Sequence, residues 1–578
     1  MTTRVTERRD VALLPRSPIP SSVLDDAETL TGAFTTLVER FPDWECVTIL
    51  DRDGIENRCS LGQIGERARS IQRSLEAAGL RAGGVVLIAL PTGVELVSAY
   101  FGVMLAGGIP GLVATPSNRV ADRRVYTTRV GAILADAAAH VLYCDDAIAE
   151  HFEEAGGDVL GRTALLTPER ARASSDATSI APAEPDGVAT VQYSSGSTGT
   201  PKGILLTHRA MLNNIRAVRD GLGLTAHDVS VNWIPLYHDM GLIDAFLLPL
   251  FTGCPTVLIP TNDFMRDPSL WLWAIHRYRG TLSWAPNFAY TFCAKRIPDE
   301  TIEGLDLSSW RIAINAAEPV LPHTIEAFTA RFAAYGFEPA AMTPAWGLAE
   351  NVTIATAHPV EERPAVETID RRRLATEGIA HPVTGDGVPS VAIGRCLPDC
   401  AVEIRDDAGQ VLADRSVGRI FLRTNSLFEC YHRQPELTAR TLLDGWLDTG
   451  DRGYMANGNL YFVSRDKDLV VIGGEKYAPH DVETAINRVP GVREGCAIAF
   501  GFLNDQRGTE ELAAVVETRE TAADALAALR QAIRAEVTNA TGLLLRHVVL
   551  VEPGGIEKTT SGKLARRATQ HRYADRLK

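Results

Sequence analysis

The sequence has few cysteines, no long uninterrupted hydrophobic run and no excess of positive charge, and each shortage excludes a class of protein. Its nine cysteines in 578 residues are scattered, with no C-x-x-C pair and no accompanying histidine cluster. We therefore expect reduced, buried thiols rather than a disulfide framework or a zinc site. Acidic residues outnumber basic ones by 72 to 58, for a net charge of −14. This balance argues against a nucleic-acid partner held through phosphate contacts.

No segment has the features of a signal peptide or a membrane span. The N-terminus, MTTRVTERRD, is charged and lacks an apolar core. The most apolar long stretch, 240–260, contains Asp244 and is interrupted by Pro249, Gly253 and Pro255. A buried helix followed by a buried strand explains this stretch better than a bilayer crossing. Together with the reduced thiols, these observations predict a cytoplasmic protein with no membrane span.

The hydrophobic pattern predicts an α/β fold. Ser60 and Gln63 form a capping box for a helix that Gly79 ends. An apolar strand-like run at 85–90 is followed by another helical segment, and such alternation favours largely parallel sheets covered by helices. Beyond Arg465 the chain restarts as a smaller unit, with strands predicted at 496–500, 511–517 and 547–552 and a helix at 522–537.

The stretch 193–203, YSSGSTGTPKG, is the most informative in the chain. Its glycines let the backbone approach an anion, successive N–H groups form an anion-binding concavity, and Lys202 adds a positive charge. The preceding VATVQ is strand-like and the following HRAMLNNIRAVRD is helix-like, so we predict a strand, a phosphate-binding loop and a helix. It is not a Walker loop, because Pro201 stands where that motif requires its second glycine. The alternative is a flexible Ser/Gly linker.

Six further segments follow in a fixed order: WIPLYHDMG (233–241), NAAEPV (315–320), AWGLAE (345–350), DTGD (448–451), SRDKD (464–468) and KTTSGKLARR (558–567). With the loop, this set resembles the adenylate-forming superfamily of acyl-CoA ligases, peptide-synthetase adenylation domains, luciferases and fatty acyl-AMP ligases. The resemblance extends over most of the chain. It implies a large N-terminal domain, residues 1–464, with a small barrel-like subdomain, and a mobile α+β C-terminal domain, residues 465–578.

The resemblance implies an ATP- and Mg²⁺-dependent reaction in which a carboxylate attacks the α-phosphorus, pyrophosphate leaves and acyl-AMP forms. Glu350 is the expected Mg²⁺ ligand, since this ion needs few protein ligands. Lys563 is expected to reach the α-phosphate and the carboxylate oxygens in the transition state, and His238 to face the acyl carboxylate. Amino-acid adenylation domains have an aspartate at the position of His238, so this histidine argues against an α-amino acid substrate.

The resemblance also implies how the nucleotide is held. Trp346 stands where the family usually has tyrosine, and its ring would stack on adenine. Asp451 would bind both ribose hydroxyls, Arg465 would help to hold the nucleotide, and Lys467 would be the hinge of the C-terminal domain. The expected nucleotide-binding residues are Ser194, Ser195, Gly196, Ser197, Thr198, Gly199, Lys202, Asn315, Ala316, Ala317, Glu318, Trp346, Gly347, Asp451 and Arg465.

Three features resemble the fatty acyl-AMP ligase branch more than the CoA ligases. PNFAY (286–290), LDLSSWRIAINAAEPV (305–320) and GLAE (347–350) are similar to that branch. In addition, forty-three residues lie between Glu350 and Gly394, a longer span than in CoA ligases. The extra residues near 360–387 resemble the branch's insertion, which is thought to disfavour the use of CoA. The resemblance therefore implies transfer of the acyl group to the phosphopantetheine of an acyl carrier protein. The alternative is a tolerated surface loop, which costs little entropy.

Two departures from the branch bear on the substrate. Trp284 stands where many long-chain members have a small residue, and Asn351 follows Glu350 where alanine is common. Trp284 and Asn287 are the predicted acyl-pocket residues. A plain long-chain fatty acid is therefore in doubt, and ligases of lipid or secondary metabolism, including those that use a nitrogen nucleophile, stay open. So do a CoA ligase and a silent nucleotide-binding homologue. The presence of Lys202, Glu350, Asp451, Arg465 and Lys563 argues against the silent homologue.

Overall fold

A computed structural model describes residues 10–116, 123–170, 179–194, 202–472, 475–504, 509–558 and 563–576. Strands and helices alternate along most of the chain. In chain order the strands are β1 (Glu45–Leu50), β2 (Glu56–Ser60), β3 (Val85–Ala89), β4 (Ile109–Leu112), β5 (Val141–Cys144), β6 (Ala164–Leu166), β7 (Val188–Ser194), β8 (Lys202–Thr207), β9 (Ser230–Asn232), β10 (Thr256–Leu258), β11 (Leu282–Pro286), β12 (Ile312–Ala316), β13 (Met342–Gly347), β14 (Ile354–Ala357), β15 (Val366–Ile369), β16 (Val388–Val391), β17 (Arg395–Cys396), β18 (Cys400–Arg405), β19 (Gly418–Thr424), β20 (Cys430–Tyr431), β21 (Leu442–Leu443), β22 (Trp446–Ala456), β23 (Asn459–Arg465), β24 (Val470–Ile472), β25 (Glu475–Tyr477), β26 (Val492–Asn504), β27 (Thr509–Thr518) and β28 (Leu545–Val551).

The α-helices are α1 (Ser22–Asp25), α2 (Leu30–Arg40), α3 (Leu61–Ala77), α4 (Val94–Leu105), α5 (Arg123–Ala137), α6 (Asp146–Ala155), α7 (Gly157–Leu160), α8 (His208–Leu222), α9 (Leu248–Thr252), α10 (Thr261–Arg266), α11 (Ser269–Tyr278), α12 (Asn287–Arg296), α13 (Pro322–Phe332), α14 (Arg371–Glu377), α15 (Pro435–Thr441), α16 (Pro479–Ile486), α17 (Ala523–Thr541) and α18 (Arg566–Tyr573). A π-helix covers Met240–Leu247, and short 3₁₀ turns include Ala349–Asn351 and Asp466–Asp468. Among the helices that the structure describes, none has the length and apolarity needed to cross a membrane.

A nine-stranded sheet organises the larger part of the chain. Its order is β17-β14-β13-β12-β11-β9-β10-β1-β2, and the central strands from β13 to β1 run parallel. A second, four-stranded sheet, β4-β3-β5-β6, is also parallel. Central strands such as β11 and β12 are buried at every position, as expected for parallel sheets covered on both faces. The predicted α/β class is therefore confirmed.

Local signals in the sequence account for several elements. The capping box of Ser60 and Gln63 is present, and Gly79 follows α3 with a φ of 84°. The apolar stretch 240–260 forms the π-helix, α9 and β10, so the expectation of a buried helix followed by a buried strand is confirmed. The nine cysteines are all free thiols, as expected, and six of them are buried. The expectation of burial is wrong for Cys396, which is exposed, and for Cys400 and Cys430, which are partly exposed.

The predicted strand–loop–helix arrangement around the glycine-rich stretch is wrong in one respect. Between the stretch and helix α8 lies β8, which pairs antiparallel with β7 and brings Ser194 opposite Lys202. The apolar residues of β8 bury against the core, and the helix begins only after Thr207, whose side chain accepts a hydrogen bond from Ala210 N (3.1 Å). The stretch therefore joins the two strands of a hairpin and does not lead directly into a helix.

Residues beyond Arg465 form a second core. Strands β26, β27 and β28 make one sheet, whose buried side chains pack with Leu529, Ile533 and Val537 of α17. The strands and the helix predicted for this part of the chain are present. A five-stranded antiparallel sheet built from β18, β19, β21, β22 and β23 packs against the first core and leads along the chain into the 3₁₀ turn Asp466–Asp468.

Candidate active site

A large cavity lies at the carboxyl ends of the parallel strands. Its volume is about 1090 Å³, and its lining includes Asn287 just after β11, Glu318 just after β12 and Gly347 at the end of β13. Loops at this edge of a parallel sheet are the usual place for ligand sites in open α/β folds. The lining also includes Lys563 and Arg566 from the C-terminal part of the chain. The cavity is therefore bounded by both cores.

Lys563 reaches one end of this cavity and contacts His238. The Lys563 ammonium lies 3.2 Å from Nε2 of His238, whose Nδ1 is 2.5 Å from Oδ1 of Asp239. Burial would raise the pKa of Asp239, but His238 and Lys563 lower it to about 2. Burial lowers the pKa of Lys563, while Asp239 opposes that shift. The three residues thus form a chain of opposite charges with the imidazole in the middle.

The segment after β12 adds a second carboxylate near Lys563. Burial raises the pKa of Glu318, and the charge of Lys563 opposes this rise. One Glu318 oxygen accepts a hydrogen bond from Phe288 N (3.0 Å). Asn315 and Ala316 end β12, and Nδ2 of Asn315 donates to Oδ1 of Asn287 (3.2 Å). Ala317 follows with a φ of 67°, so the chain turns sharply at the cavity wall.

Trp346 and Asp451, both predicted to contact the nucleotide, are bound to each other. The indole Nε1 of Trp346 donates to Oδ2 of Asp451 (2.9 Å), and both residues are buried. Burial raises the pKa of Asp451, whereas Arg465, placed opposite it in the pairing of β22 with β23, lowers it. Nε of Arg465 lies 3.7 Å from Oδ1 of Asp451. These three predicted residues therefore form one contiguous wall of the cavity.

Gly347 permits a close approach of two chain segments beside this wall. A Cβ at position 347 would lie 2.2 Å from the carbonyl oxygen of Thr353 and 2.3 Å from Cα of Ile354. No side chain fits at these distances. The short turn that carries Glu350 is compact for this reason, and Val352 in the same turn has a φ of 65°, which is unusual for a β-branched residue.

Glu350 and Lys202 both contact Tyr431, a residue that none of the sequence motifs contains. Oε1 of Glu350 accepts a hydrogen bond from the Tyr431 hydroxyl (2.7 Å). The Lys202 ammonium lies 5.4 Å from the centre of the same ring. The residues from Ser195 to Gly199, which carry the rest of the predicted phosphate loop, lie outside the described residues, and Ser194 ends β7. Tyr431 belongs to none of the motifs, and no signal in the sequence identifies it.

The remaining predicted residues differ in how closely they approach the cavity. Asn287 lines it, whereas Trp284 is fully buried in β11 and is absent from the described residues that line it. The Trp284 backbone N–H donates to Oδ1 of Asn232 (2.8 Å). A direct contact of Trp284 with the acyl group stays a prediction. Lys467 is exposed in the 3₁₀ turn that follows β23, and its role as a hinge also stays a prediction.

Aromatic side chains form an apolar wall of the cavity. The lining includes Trp233, Phe288 and Phe292, and Trp233 stacks on the buried Phe264 with ring centres 3.8 Å apart. The ring of Phe288 meets Trp233 edge-on at 6.0 Å. Such a wall suits an apolar chain, and Lys563 lines the same cavity.

The residues available for a metal ion are few. Within the described ranges there is no cluster of three or more histidine, cysteine, aspartate or glutamate side chains able to hold an ion. Mg²⁺ is commonly bound by one or two carboxylates together with substrate phosphates. A single carboxylate at Glu350, with the cation of Lys202 nearby, fits that kind of site.

Known proteins resemble this chain over nearly its whole length. Residues 34–432 match the AMP-binding enzyme family. A putative acyl-CoA synthetase of Caulobacter vibrioides is 35% identical over 88% of this chain and 89% of its own length. The long-chain-fatty-acid–AMP ligase FadD26 of Mycobacterium marinum is 32% identical over 96% and 97% of the two chains. The medium-chain-fatty-acid–[acyl-carrier-protein] ligase JamA of Moorena producens is 30% identical over 90% of each chain.

A solved structure from a study of fatty acyl-adenylate ligases of E. coli and L. pneumophila has the same fold. It superposes with a TM-score of 0.89 at 29% identity and covers 95% of this chain and 98% of its own. The resemblance drawn from the ordered motifs is thereby confirmed, as is the assignment to an enzyme of the ligase type. This chain belongs to the AMP-binding enzyme family, among relatives that include the fatty acyl-AMP ligases of the adenylate-forming superfamily.

Proposed function

We propose that this enzyme joins a fatty or related carboxylic acid to AMP with release of pyrophosphate, and then passes the acyl group to the phosphopantetheine thiol of an acyl carrier protein. The observation that carries the proposal is that one cavity is lined both by Lys563, whose ammonium contacts His238, and by the aromatic rings of Trp233, Phe288 and Phe292. An acid bound there would have its carboxylate beside the Lys563 ammonium and its chain against aromatic rings.

Each charged residue has a defined task in this proposal. His238 and Lys563 orient the acid carboxylate, and Lys563 also neutralises charge that develops as the carboxylate meets the α-phosphate. Asp239 lies against Nδ1 of His238, so that Nε2 of the ring faces Lys563. Trp346, Asp451 and Arg465 hold the nucleoside, and Lys202 and Glu350 act at the phosphates. When bound, ATP supplies the anhydride that is cleaved, and Mg²⁺ neutralises phosphate charge.

The carrier protein is the proposed acceptor for two reasons. JamA, which is similar to this chain, is named for transfer to an acyl carrier protein. The predicted insertion near 360–387 also contacts the C-terminal part of the chain, whose proposed boundary is Arg465 with Lys467 as its hinge. A second cavity of about 460 Å³ is lined from both sides by Asp370, Arg371, Arg372, Ala375, Thr376, Asp386, Gly387, Glu475, Tyr477, Thr541, Gly542 and Leu543. A contact there would oppose rotation of the C-terminal unit into a CoA-using arrangement.

An acyl-CoA ligase is the second candidate, because the Caulobacter relative carries that name. The two candidates differ only in the acceptor of the second step. A panel of carboxylic acids of different length and polarity should first identify the acid that supports pyrophosphate release. Acyl transfer from that acid is then measured with CoA and with a phosphopantetheine-loaded carrier protein. Preferential labelling of the carrier supports the proposal, and efficient formation of the free CoA ester favours the second candidate.

A further inference from the structure

Tyr431 lies between two residues to which the proposed function gives tasks at the phosphates. Its hydroxyl donates a hydrogen bond to Oε1 of Glu350 (2.7 Å), and the Lys202 ammonium lies 5.4 Å from the centre of its ring. The tyrosine is only 5% exposed. One buried side chain therefore contacts both a carboxylate and a cation that the chain brings together from distant segments.

The backbone around Tyr431 fixes the same two segments. Strand β20 pairs antiparallel with β8, and Tyr431 stands opposite Ile204, two positions after Lys202. Phe428 N donates to the backbone oxygen of Glu350 (2.8 Å), and Tyr431 N donates to Oγ1 of Thr438 (3.0 Å). The Phe428 ring packs edge-on against Tyr431 at 4.7 Å. The Tyr431 ring is thus held in place by its backbone and by Phe428, and it can in turn position Glu350 and Lys202.

The two contacts of Tyr431 define the orientation of both of its partners. A hydroxyl bonded to a carboxylate also fixes which oxygen is engaged, leaving the orientation of the second oxygen defined. The ring face attracts the Lys202 ammonium through its quadrupole.

We propose that Tyr431 is a positioning residue that aims the second carboxylate oxygen of Glu350 at Mg²⁺ and the ammonium of Lys202 at the nucleotide phosphates. This inference rests on the proposed function, in which Glu350 binds the metal. Residues that hydrogen-bond a metal ligand typically change metal affinity by about 10- to 100-fold when they are removed. The effect of losing the hydroxyl should therefore depend on Mg²⁺.

The chain offers a matched control for the hydroxyl. Tyr454 is 1% exposed, and its hydroxyl donates to Oε1 of Glu367 (2.8 Å). Tyr454 packs in a separate hydrophobic cluster with Ile369, Ala456 and Tyr461, and its ring stacks on that of Tyr461. Tyr454→Phe therefore removes a comparable buried bond between a tyrosine and a glutamate without touching the proposed phosphate site.

The test measures binding and does not depend on turnover. Calorimetry with a non-hydrolysable ATP analogue is carried out across a Mg²⁺ titration and again in EDTA, for the wild type, Tyr431→Phe and Tyr454→Phe. We expect Tyr431→Phe to raise the Mg²⁺ concentration at half-maximal effect by about 10-fold or more. Its affinity in EDTA should equal that of the wild type, and Tyr454→Phe should match the wild type in both conditions.

Two further variants separate the two contacts of Tyr431. Tyr431→Leu also removes the ring beneath Lys202 and should weaken binding in EDTA by about two- to fivefold. Adding Tyr431→Phe to Glu350→Gln should cause no further loss of Mg²⁺ dependence, because the positioned carboxylate is already gone. Thermal midpoints without nucleotide should be similar for the phenylalanine variants.

Three results would overturn the inference. Mg²⁺ titrations of Tyr431→Phe that coincide with those of the wild type would show that the hydroxyl does not position the ligand. A loss in EDTA as large as the loss in Mg²⁺ would indicate a general structural role. A wild type whose binding of the analogue is insensitive to Mg²⁺ would remove Glu350 as the metal ligand, and the proposed function would then fail at that residue first.

Discussion

Neighbouring residues determine the ionisation of Asp239, which lies close to the cavity through His238 and Lys563. Asp239 is ionised at neutral pH because His238 and Lys563 hold its pKa at about 2 against the effect of burial. Nδ1 of His238 lies 2.5 Å from Oδ1 of Asp239, and the other ring nitrogen lies 3.2 Å from the Lys563 ammonium. The positive charge at the end of the cavity is thereby placed before any substrate arrives, which is the condition for strong electrostatic stabilisation of a transition state.

Loss of the Lys563 ammonium should impair one half-reaction selectively. We expect Lys563→Ala to lower the rate of acyl-adenylate formation by about 10²- to 10³-fold, the usual loss for one preorganised donor. ATP binding should persist through Trp346 and Asp451, and transfer from ready-made acyl-adenylate should also persist. Single-turnover rates for each half-reaction measure this split.

Lys558→Ala is the matched control for that experiment. Lys558 lines the same cavity, but its ammonium contacts Sγ of Cys496 (3.4 Å) rather than His238. Its loss should have a much smaller effect on adenylate formation. Equal losses in the two variants, or a Lys563→Ala enzyme defective only in acyl transfer, would show that Lys563 has another role.

A buried histidine should make the stability of the fold depend on pH. Nδ1 of His208 accepts a hydrogen bond from Leu30 N (3.2 Å), and burial lowers the pKa of His208 to about 4. Because the unfolded pKa is about 6.5, stability is full above that pH and falls as the pH drops toward 4. We expect the free energy of unfolding to fall by about 2 kcal/mol between pH 7 and pH 5 from this group.

Urea denaturation of the wild type and His208→Asn at both pH values measures the effect. Asparagine retains an acceptor for Leu30 N but does not titrate. Its stability should change less between pH 7 and pH 5 than that of the wild type. An identical change in both proteins would assign the pH dependence to other groups.

The motifs identified most of the residues around the cavity, but not their contacts. Asp451 and Trp346 belong to segments that the sequence pointed to separately, and only the fold brings the indole N–H to the carboxylate. Tyr431 has no signal in the sequence because its importance comes from two long-range contacts, to Glu350 and Lys202, and not from its neighbours along the chain. Contacts between residues so far apart along the chain depend on how the whole fold packs, which the local sequence does not specify.

Among the elements, α12 and its aromatic side chains set the shape of the apolar wall. Phe292 on this helix lines the cavity, whereas Trp284 lies buried in the strand before it. Because interiors are close-packed, removing a lining ring opens volume directly. Each buried methylene contributes up to about 0.8 kcal/mol, so the limit on chain length should be sharp.

We expect Phe292→Ala to shift the preferred acid toward a longer chain, as measured by pyrophosphate release across a series of acids. Trp284→Phe tests whether the buried indole also limits the pocket. A shift toward longer chains in that variant would support the predicted acyl-pocket role of Trp284. An unchanged preference would restrict that role to packing of β11.

The inserted segment near 360–387, which contains β15 and α14, should determine the acceptor. Replacing residues 366–388 with a short glycine–serine linker removes their contact with the C-terminal part of the chain. If this contact opposes rotation of the C-terminal unit, the deletion should raise CoA ester formation relative to carrier labelling. Competition between CoA and loaded carrier protein measures the ratio, with the rate of adenylate formation as a check on folding. A ratio equal to that of the wild type would contradict the proposed effect.

Local chemistry explains which elements the sequence predicts well. The capping box at Ser60 and the buried run at 85–90 specify a helix start and a central strand by themselves. Strand β8 lacks such a signal. Its short apolar run forms a strand because it pairs with β7. The π-helix Met240–Leu247 has no sequence signature distinct from that of an α-helix, so its winding could not be expected.

For the molecule as a whole, the cavity depends on two cores meeting at one place. The parallel sheet supplies its carboxyl edge, and the part of the chain beyond Arg465 supplies Lys563. The sequence predicted both units, and their division at residue 465 stays a prediction. It did not predict their relative placement, since the contact between Lys563 and His238 spans 325 positions.

Acid-dependent exchange of pyrophosphate with ATP tests the central claim most directly. Incubated with ATP, Mg²⁺ and labelled pyrophosphate, the wild type should incorporate label into ATP only when a suitable carboxylic acid from the panel is present, and Lys563→Ala should do so about 10²- to 10³-fold more slowly. Exchange needs no acceptor, so the result does not depend on whether a carrier protein or CoA follows. A wild type that binds ATP but shows no exchange with any acid in the panel would contradict the account.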